Sequence, residues 1–186
     1  MTKKPLPSPE TLRQLLRYEP ETGKLFWKER GPEWFDDCDM DASWAMRAWN
    51  ARNADKEAFT SDSGTGYRVG SIRCRIYKAH RVIWAMNYGA WPIDDLDHIN
   101  LKKSDNRIEN LRDANASENA SNRSLDAKNT SGFKGVSWHK QRLKWYATIT
   151  CNGKAHSLGL HSTREDAHAA YCEAAKRLHG EFARTE

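Results

Sequence analysis

The stretch Lys144-Trp145-Tyr146-Ala147-Thr148-Ile149-Thr150-Cys151-Asn152-Gly153-Lys154-Ala155-His156-Ser157-Leu158-Gly159-Leu160 alternates its side chains on either side of an Asn-Gly pair. Period-two alternation predicts strands, and Asn-Gly between two such runs is a strong hairpin signal. Upstream, Phe133 to Trp138 reads as a third short strand. Downstream, Thr163-x-x-Asp166 is a capping-box variant with Asp in place of Glu, so a helix starts there. Ala167, Ala170, Tyr171, Ala174, Ala175 and Leu178 share one face of that helix, and Gly180 ends it. Alanines let the helix lie close against a sheet. Residues 133–186 are therefore expected to form a three-stranded antiparallel sheet packed on one helix. The small polar run 126–132, Asp-Ala-Lys-Asn-Thr-Ser-Gly, is the best linker candidate.

The charge follows this division. Residues 127–186 carry 10 basic and 5 acidic side chains, whereas residues 1–126 carry 20 of each, so the net +5 lies in the last third. One module meeting a polyanion while another does something else gives this asymmetry. With 186 residues of which 38% are hydrophobic, any core must be small or split. No apolar run approaches the roughly 18–20 residues of a membrane span. Met1-Thr2-Lys3-Lys4-Pro5 leads into no apolar segment, so no signal peptide is expected. Cys38, Cys74, Cys151 and Cys172 are scattered without a Cys-x-x-Cys pair, the pattern of reduced thiols in a cytoplasmic protein.

Before residue 92 the signals are mixed. Pro9-Glu10 opens a short helix with Leu12, Leu15 and Leu16 at helical spacing, and Pro20 with Gly23 is expected to end it. Leu25-Phe26-Trp27 is a brief strand. Residues 30–62 are acidic, carry Trp34, Trp44 and Trp49, and read as irregular apart from one helix. Tyr67-Arg68-Val69 and Ile72 to Tyr77 form a two-stranded ribbon after a Gly64-Thr65-Gly66 turn. Ala79 to Tyr88 is a helix with Val82, Ile83 and Met86 on one stripe and a stop at Gly89.

Residues 92–124 lack glycine and hold six asparagines between Asn100 and Asn122. Asparagine favours caps and tight turns over helix or strand interiors. Asp97-His98, followed by Asn106, Asn110, Asn119 and Asn122, supplies a carboxylate, an imidazole and amide oxygens. These are the donor and base types that hydrolyse a phosphodiester with a hard divalent cation, which binds through one or two protein oxygens. A neutral histidine beside such an ion can take the proton of the attacking water. A polar loop full of turn asparagines would have the same composition.

Order and spacing add to this. Leu96-Asp97-His98-Ile99-Asn100, then Asp105-Asn106-Arg107-Ile108-Glu109-Asn110-Leu111-Arg112, then Ser117-Glu118-Asn119-Ala120-Ser121-Asn122-Arg123 resembles a phage-type HNH endonuclease of the ββα-metal class. Ala79-His80-Arg81-Val82-Ile83-Trp84 is similar to the His-Arg segment that precedes it in phage enzymes. The resemblance implies Asp97 as carboxylate metal ligand and His98 as general base. It implies Asn110 as the asparagine that ties the loop and orients the histidine, and Asn119 as second metal ligand. Asn122, three residues further on the same helical face, competes for that role, and Asn106 competes with Asn110. Mg²⁺ or Mn²⁺ is the implied cofactor, and Arg81 is a candidate phosphate contact.

In the basic third, strand alternation puts Trp145, Ala147 and Ile149 towards the helix and Lys144, Tyr146, Thr148 and Thr150 outward. Lys134, Trp138, Lys154 and His156 are expected beside them, with the turn cations Lys140 and Arg142 at the rim. Cations, aromatics and hydroxyls on one sheet face suit a DNA groove. Asn129 to Trp138, Lys144 to Ala147, Leu158-Gly159 and Thr163 to Gly180 are similar to the ethylene-response-factor-type domain of plants, the apetala-two class. That resemblance implies a sheet lying in the major groove. Ser137, Thr148 and Thr150 stand where the plant domain has Arg, Glu and Arg, so its target preference does not transfer.

Together these readings give an α+β protein: a small ββα-metal nuclease module followed by the three-strand-plus-helix domain. The expected division is 1–66 as an N-terminal part of the nuclease domain, 67–125 as the HNH module, 126–132 as linker and 133–186 as DNA-binding domain. The expected activity is metal-dependent, homing-like cleavage of double-stranded DNA in the cytoplasm of a bacterial or phage-infected cell. A monomer is expected, with a dimer as the alternative state. A non-catalytic DNA-binding transcriptional regulator is the alternative function, and a junction- or nick-directed repair nuclease a third.

Overall fold

The computed structural model describes residues 5–36, 41–126 and 128–185. The expectations attached to residues 1–4, to Cys38 and to Ala127 of the linker candidate lie outside them. The chain forms two compact units, residues 1–112 and 113–186.

In the first unit the order is α1 (Pro9–Leu15), β1 (Leu16–Glu19), β2 (Lys24–Trp27), α2 (Ala42–Asn53), β3 (Glu57–Ala58), β4 (Ser61–Asp62), β5 (Arg68–Ile72), β6 (Arg75–Lys78), α3 (Ala79–Tyr88), β7 (Asp95–His98) and β8 (Leu111–Ala114). The last two residues of β8 open the second unit. β1–β2–β3 and β4–β5–β6 are separate three-stranded antiparallel sheets, and β7 pairs with β8. α1 is shorter than its leucines suggest. Ser8 caps it, its Oγ accepting from Thr11 N at 3.1 Å, but Leu16 is already extended (φ −132, ψ 144). Pro20 and Gly23 therefore lie in the β1–β2 turn instead of closing a helix. Both Leu15 and Leu16 are buried, so the strand uses the same apolar pair that looked helical.

One apolar cluster joins these elements: Leu12, Leu15, Leu16, Leu25, Phe59, Ile72, Val82, Ile83, Met86 and Leu111 are members. It fixes α3, whose buried residues Ala79, His80, Val82, Ile83, Ala85 and Met86 cover one stripe and whose end is Gly89 at φ 74. The acidic segment contributes α2, N-capped by Asp41. Trp49 of α2 packs edge-on to Trp27 at 5.6 Å, and the Arg30 guanidinium lies 3.7 Å from the Trp49 ring centre.

The second unit holds α4 (Ala116–Ser121), β9 (Val136–His139), β10 (Lys144–Cys151), β11 (Lys154–His161) and α5 (Arg164–His179). The sheet order is β11–β10–β9, antiparallel throughout, with a register shift between Tyr146 and Thr148. Ile149, Tyr171, Ala174 and Ala175 form one core cluster, and Val136, Ala147 and Ala167 another. The small side chains do bring helix and sheet together. Gly135, at φ 71, lies under the Tyr171 ring, where an added Cβ would come within 2.2 Å. Thr163 caps α5, its hydroxyl accepting from Asp166 N.

Within the stretch read as linker, Asn129 and Ser131 close a turn. Asn129 Oδ1 accepts from Gly132 N at 2.8 Å, Asn129 Nδ2 donates to Phe133 O at 3.0 Å, and Ser131 is buried. Asx-turn chemistry and a flexible linker share the same composition.

Candidate active site and DNA interface

β7 carries the central pair. Leu96, Asp97 and His98 are all buried, and successive strand side chains leave opposite faces. Asp97 meets the next strand: Arg112 Nε and Nη2 both donate to its Oδ2, at 2.9 and 2.8 Å. Asp97 is 5% exposed and Arg112 13%, so this is a largely desolvated ion pair. His98, on the other side, is held by an amide: its Nε2 lies 3.2 Å from Asn106 Oδ1. An amide oxygen only accepts, so this contact favours the tautomer with the hydrogen on Nε2. Burial pushes His98 below the usual imidazole range, against the Asn106 bond and the nearby Asp97 and Asp105 charges. A base has to be neutral before it can work, and burial favours that form.

Behind His98 sits His80, from the first turn of α3. Their rings meet edge-on at 5.1 Å, and Tyr67 lies 5.0 Å from His80 and 5.9 Å from His98. His80 is 3% exposed and its Nδ1 has no hydrogen-bond partner. Burial holds its pKa near 3, with His98, Lys78 and Arg81 pushing the same way, so it is a neutral packing partner. The Tyr67 ring also carries two ammonium groups, Lys78 at 4.5 Å and Lys103 at 4.9 Å.

The loop from Ile99 to Asn110 is organised by asparagines. Asn110 Oδ1 accepts from Asn100 N at 3.0 Å, while its Nδ2 donates to Asn100 Oδ1 and to Asp105 O at 3.0 and 2.8 Å. Asp105 accepts from Asn100 and, through both oxygens, from Arg107, whose bonds hold its carboxyl well below the usual range. Asn110 thus ties the loop, but the amide that reaches His98 belongs to Asn106, 2% exposed. Tyr18, to which the sequence assigns no role, and Gly23, expected only to end a helix, hold Asn106 in place. Tyr18 OH donates to Asn106 O at 3.3 Å and accepts from Ile108 N at 2.8 Å. Gly23, at φ 70, lets the chain at Asn106-Arg107 pass where a Cβ would lie 2.5 Å from Arg107 N.

Arg81 is placed differently from the phosphate contact expected of it. Its Nη1 and Nη2 donate to Asp94 O and Pro92 O, each at 2.9 Å, and so brace the turn leading into β7. Asn119 and Asn122 are on α4 or at its end, in the second unit. Asn122 is buried and engaged. Asn119 is half-buried, and its side-chain amide bonds to no described residue. Among the described residues no three His, Cys, Asp or Glu side chains cluster as a transition-metal cage requires. Asp97 is by chemistry an oxygen donor of the kind that Mg²⁺ or Mn²⁺ takes, and it lies in the first unit.

In the C-terminal sheet, residues directly opposite share a face. Lys144, Tyr146, Thr148 and Thr150 point away from α5, opposite or beside His139, Ser137 and Ser157. His139 packs edge-on to Tyr146 at 6.2 Å and belongs to this face, a placement that strand parity with Ser137 could have revealed. Trp138 does not. The register sets it opposite Trp145, on the side of Ala147 and Ile149, with the two rings 5.1 Å apart. Lys154 and His156 pair with Cys151 and Ile149, so they share that side too, exposed at its far end. Lys140 and Arg142 are exposed in the β9–β10 turn. Lys134 is half-buried and donates to the carbonyls of Ser121 and Arg123, both at 2.7 Å, and burial lowers its pKa to about 8.

The HNH endonuclease family model matches residues 77–121, and the AP2 domain model matches residues 131–181. Protein 3.8 of Escherichia phage T7 is 36% identical over 114 residues, 59% of this chain and 93% of that protein. The chain belongs to the HNH endonuclease family. It adds an AP2 domain behind the HNH segment, and the two domain types point to a nuclease and to DNA binding. No solved structure matches the chain. The HNH match takes in α3, β7, β8 and α4 but stops short of Tyr18, Gly23 and Tyr67, so support for the His98 loop comes from outside it. No helix of the described residues is long and apolar enough to cross a membrane.

Proposed function

We propose that this HNH protein is a metal-dependent, homing-like endonuclease that hydrolyses phosphodiester bonds of double-stranded DNA, with the AP2 domain as its DNA grip. The observation that carries the reading is the His98–Asn106 pair: a buried imidazole whose Nε2 faces an amide oxygen that can only accept. In this reading His98 Nδ1 takes the proton of the attacking water. Asn106 stabilises the ring's Nε2–H form, and Asn110 keeps the loop that carries Asn106 closed. Asp97, with Asn119 in preference to Asn122, would hold Mg²⁺ or Mn²⁺. The ion supplies charge compensation on the scissile phosphate and leaving oxygen. Arg112 neutralises Asp97 and fixes its orientation. Products would carry 5′-phosphate and 3′-hydroxyl ends.

The proposed organisation is an HNH module over 67–125 supported by residues 1–66, then 126–132, then the DNA-binding domain over 133–186. With one such site per chain, a monomer would nick and a dimer could cut both strands. The proposed setting is the cytoplasm of a bacterial or phage-infected cell. The test is supercoiled-plasmid cleavage with and without Mg²⁺, wild type beside His98→Ala. Mg²⁺-dependent open-circle or linear product, lost in the variant, is expected. Salt-sensitive binding with no cleavage in either ion would favour the non-catalytic regulator.

A further inference from the structure

Helix α4, which carries Asn119, is fastened to the DNA-binding domain at three points, all inside the second unit. Lys134, just ahead of β9, donates to Ser121 O and Arg123 O, the carbonyls exposed where the helix ends. Ser121 Oγ donates back to Ser117 O at 2.8 Å and lies 3.1 Å from His179 Nδ1, at the end of α5. Asn152 N, in the β10–β11 turn, donates to Ser117 Oγ at 3.0 Å. At its start the helix closes its own capping box, Asn115 with Glu118.

Six residues cannot sustain an isolated helix in water, because nucleation is costly and few hydrogen bonds offset it. The helix therefore needs its fastenings. A lysine is suited to the task, since helix C-terminal carbonyls lack intrahelical donors and attract cations. No carboxylate among the described residues pairs with Lys134, so the two carbonyls are its main partners. Ser117 and Ser121, one turn apart, form the fastened face. At about 100° per residue, Asn119 lies roughly opposite Ser117, on the face turned away from the fastening.

We infer that Lys134 is a positioning residue, not a DNA contact: with His179 and Asn152 it clamps α4 onto the AP2 domain so that Asn119 is presented in a fixed orientation. This rests on the assignment of Asn119 as a metal ligand. It means that the domain expected only to grip DNA also shapes the ligand set of the nuclease. Deleting that domain would then remove more than affinity.

The test uses the full chain with Lys134→Met and, separately, His179→Ala. Three readouts are needed: affinity for a short random-sequence duplex without divalent ion across a salt series, Mg²⁺ dependence of plasmid cleavage, and hydrogen exchange of the α4 amides. For Lys134→Met the clamp predicts an unchanged salt slope, a several-fold rise in half-saturating Mg²⁺, and α4 exchange faster by about tenfold, as loss of hydrogen bonds to a charged group implies. His179→Ala should loosen α4 in the same direction while leaving α5 exchange unchanged, which separates unclamping from misfolding. A salt slope shallower by about one unit, with α4 exchange unaltered, would make Lys134 a phosphate contact and overturn the clamp. If the wild type cuts with neither Mg²⁺ nor Mn²⁺, the nuclease assignment fails, yet slope and exchange still decide the clamp.

Discussion

The His98 loop and the outer face of the C-terminal sheet are both polar, but they are polar in opposite ways. His80, Asp97, His98, Asn106 and Asn110 are each at most 6% exposed; Arg112 bonds Asp97, Asn106 bonds His98, Asn110 ties the loop, and His80 packs behind them. Lys140, Arg142 and Lys144 sit on the sheet or its rim, exposed on long flexible stems. Burying polar groups is costly unless each finds a partner, so a site bears that cost only where position matters more than reach. Proton transfer requires a base held within a fraction of an ångström. Neutralising phosphates requires only charge at the right surface, and the salt-dependent release of counterions does the rest.

His98→Ala should separate the two regions most. Losing a general base should lower the cleavage rate by about 10²–10⁴-fold. DNA affinity without metal should stay within twofold, because a base contributes little to ground-state binding. Cleavage kinetics and filter binding on the same preparations check it, and retained cutting would remove His98 from its role. The sheet should respond the other way. Replacing Lys140, Arg142 and Lys144 together with Gln should flatten the slope of log affinity against log salt by up to about 2.7 units, at about 0.9 for each phosphate no longer neutralised. Its cleavage rate at saturating protein should be unchanged. A steep slope that survives the triple substitution would move the DNA grip elsewhere.

Asn106→Ala tests the inside of the buried set. It removes the acceptor that fixes the His98 tautomer and leaves a buried N–H unsatisfied, a cost of about 1–3 kcal/mol. A cleavage loss of about tenfold or more is expected, with affinity unchanged. Asn110→Ala should have a milder effect on the rate and a larger one on loop exchange, because Asn110 bonds the backbone of the loop and not the histidine. Equal rate losses in both variants would erase the distinction between the two asparagines.

These two regions were unequally legible in the sequence. Period-two alternation, Asn152-Gly153, the Thr163 cap and Gly180 each have one strong meaning, and the β10–β11 hairpin and α5 fall where they indicate; the first strand begins at Val136 instead of Phe133, because Gly135 turns at φ 71. Face assignment was harder. Val136 and Trp138 share a parity, so once Val136 packs opposite Ala147, Trp138 must accompany it to the helix side. The β5–β6 turn was hidden because Arg73 and Cys74 both adopt positive φ, 48 and 61, without the glycine or asparagine that announces such turns. At the site, the family resemblance singled out Asp97, His98 and Asn110, and the fold buries all three. Their partners were not legible: Tyr18 bonds a residue 90 positions away, and Arg112 resembles any other solvated cation until β8 pairs with β7. Lys134 was expected beside the outward cations of the sheet, and only the carbonyls it meets point to the clamp.

The smallest expected effect concerns what the buried set costs in acid. His80 has a folded pKa near 3 because burial disfavours its charged form, against about 6.5 in an unfolded chain. Between those values the unfolded state binds the proton and the folded state does not. Stability of the first unit is therefore fully present above pH 6.5 and falls as pH drops towards 3, by up to about 1.4 kcal/mol per pH unit. His98 is shifted in the same direction by the same cause, so two slopes add. His80→Phe replaces the ring with one of similar size and leaves no orphaned Nδ1. Urea unfolding followed by tryptophan fluorescence between about pH 4 and 7 should show a shallower acid decline for the variant, with the His98 contribution remaining. An undiminished decline would mean that His80 finds a proton-stabilising partner in the folded chain, and the neutral ring behind His98 would have to be abandoned.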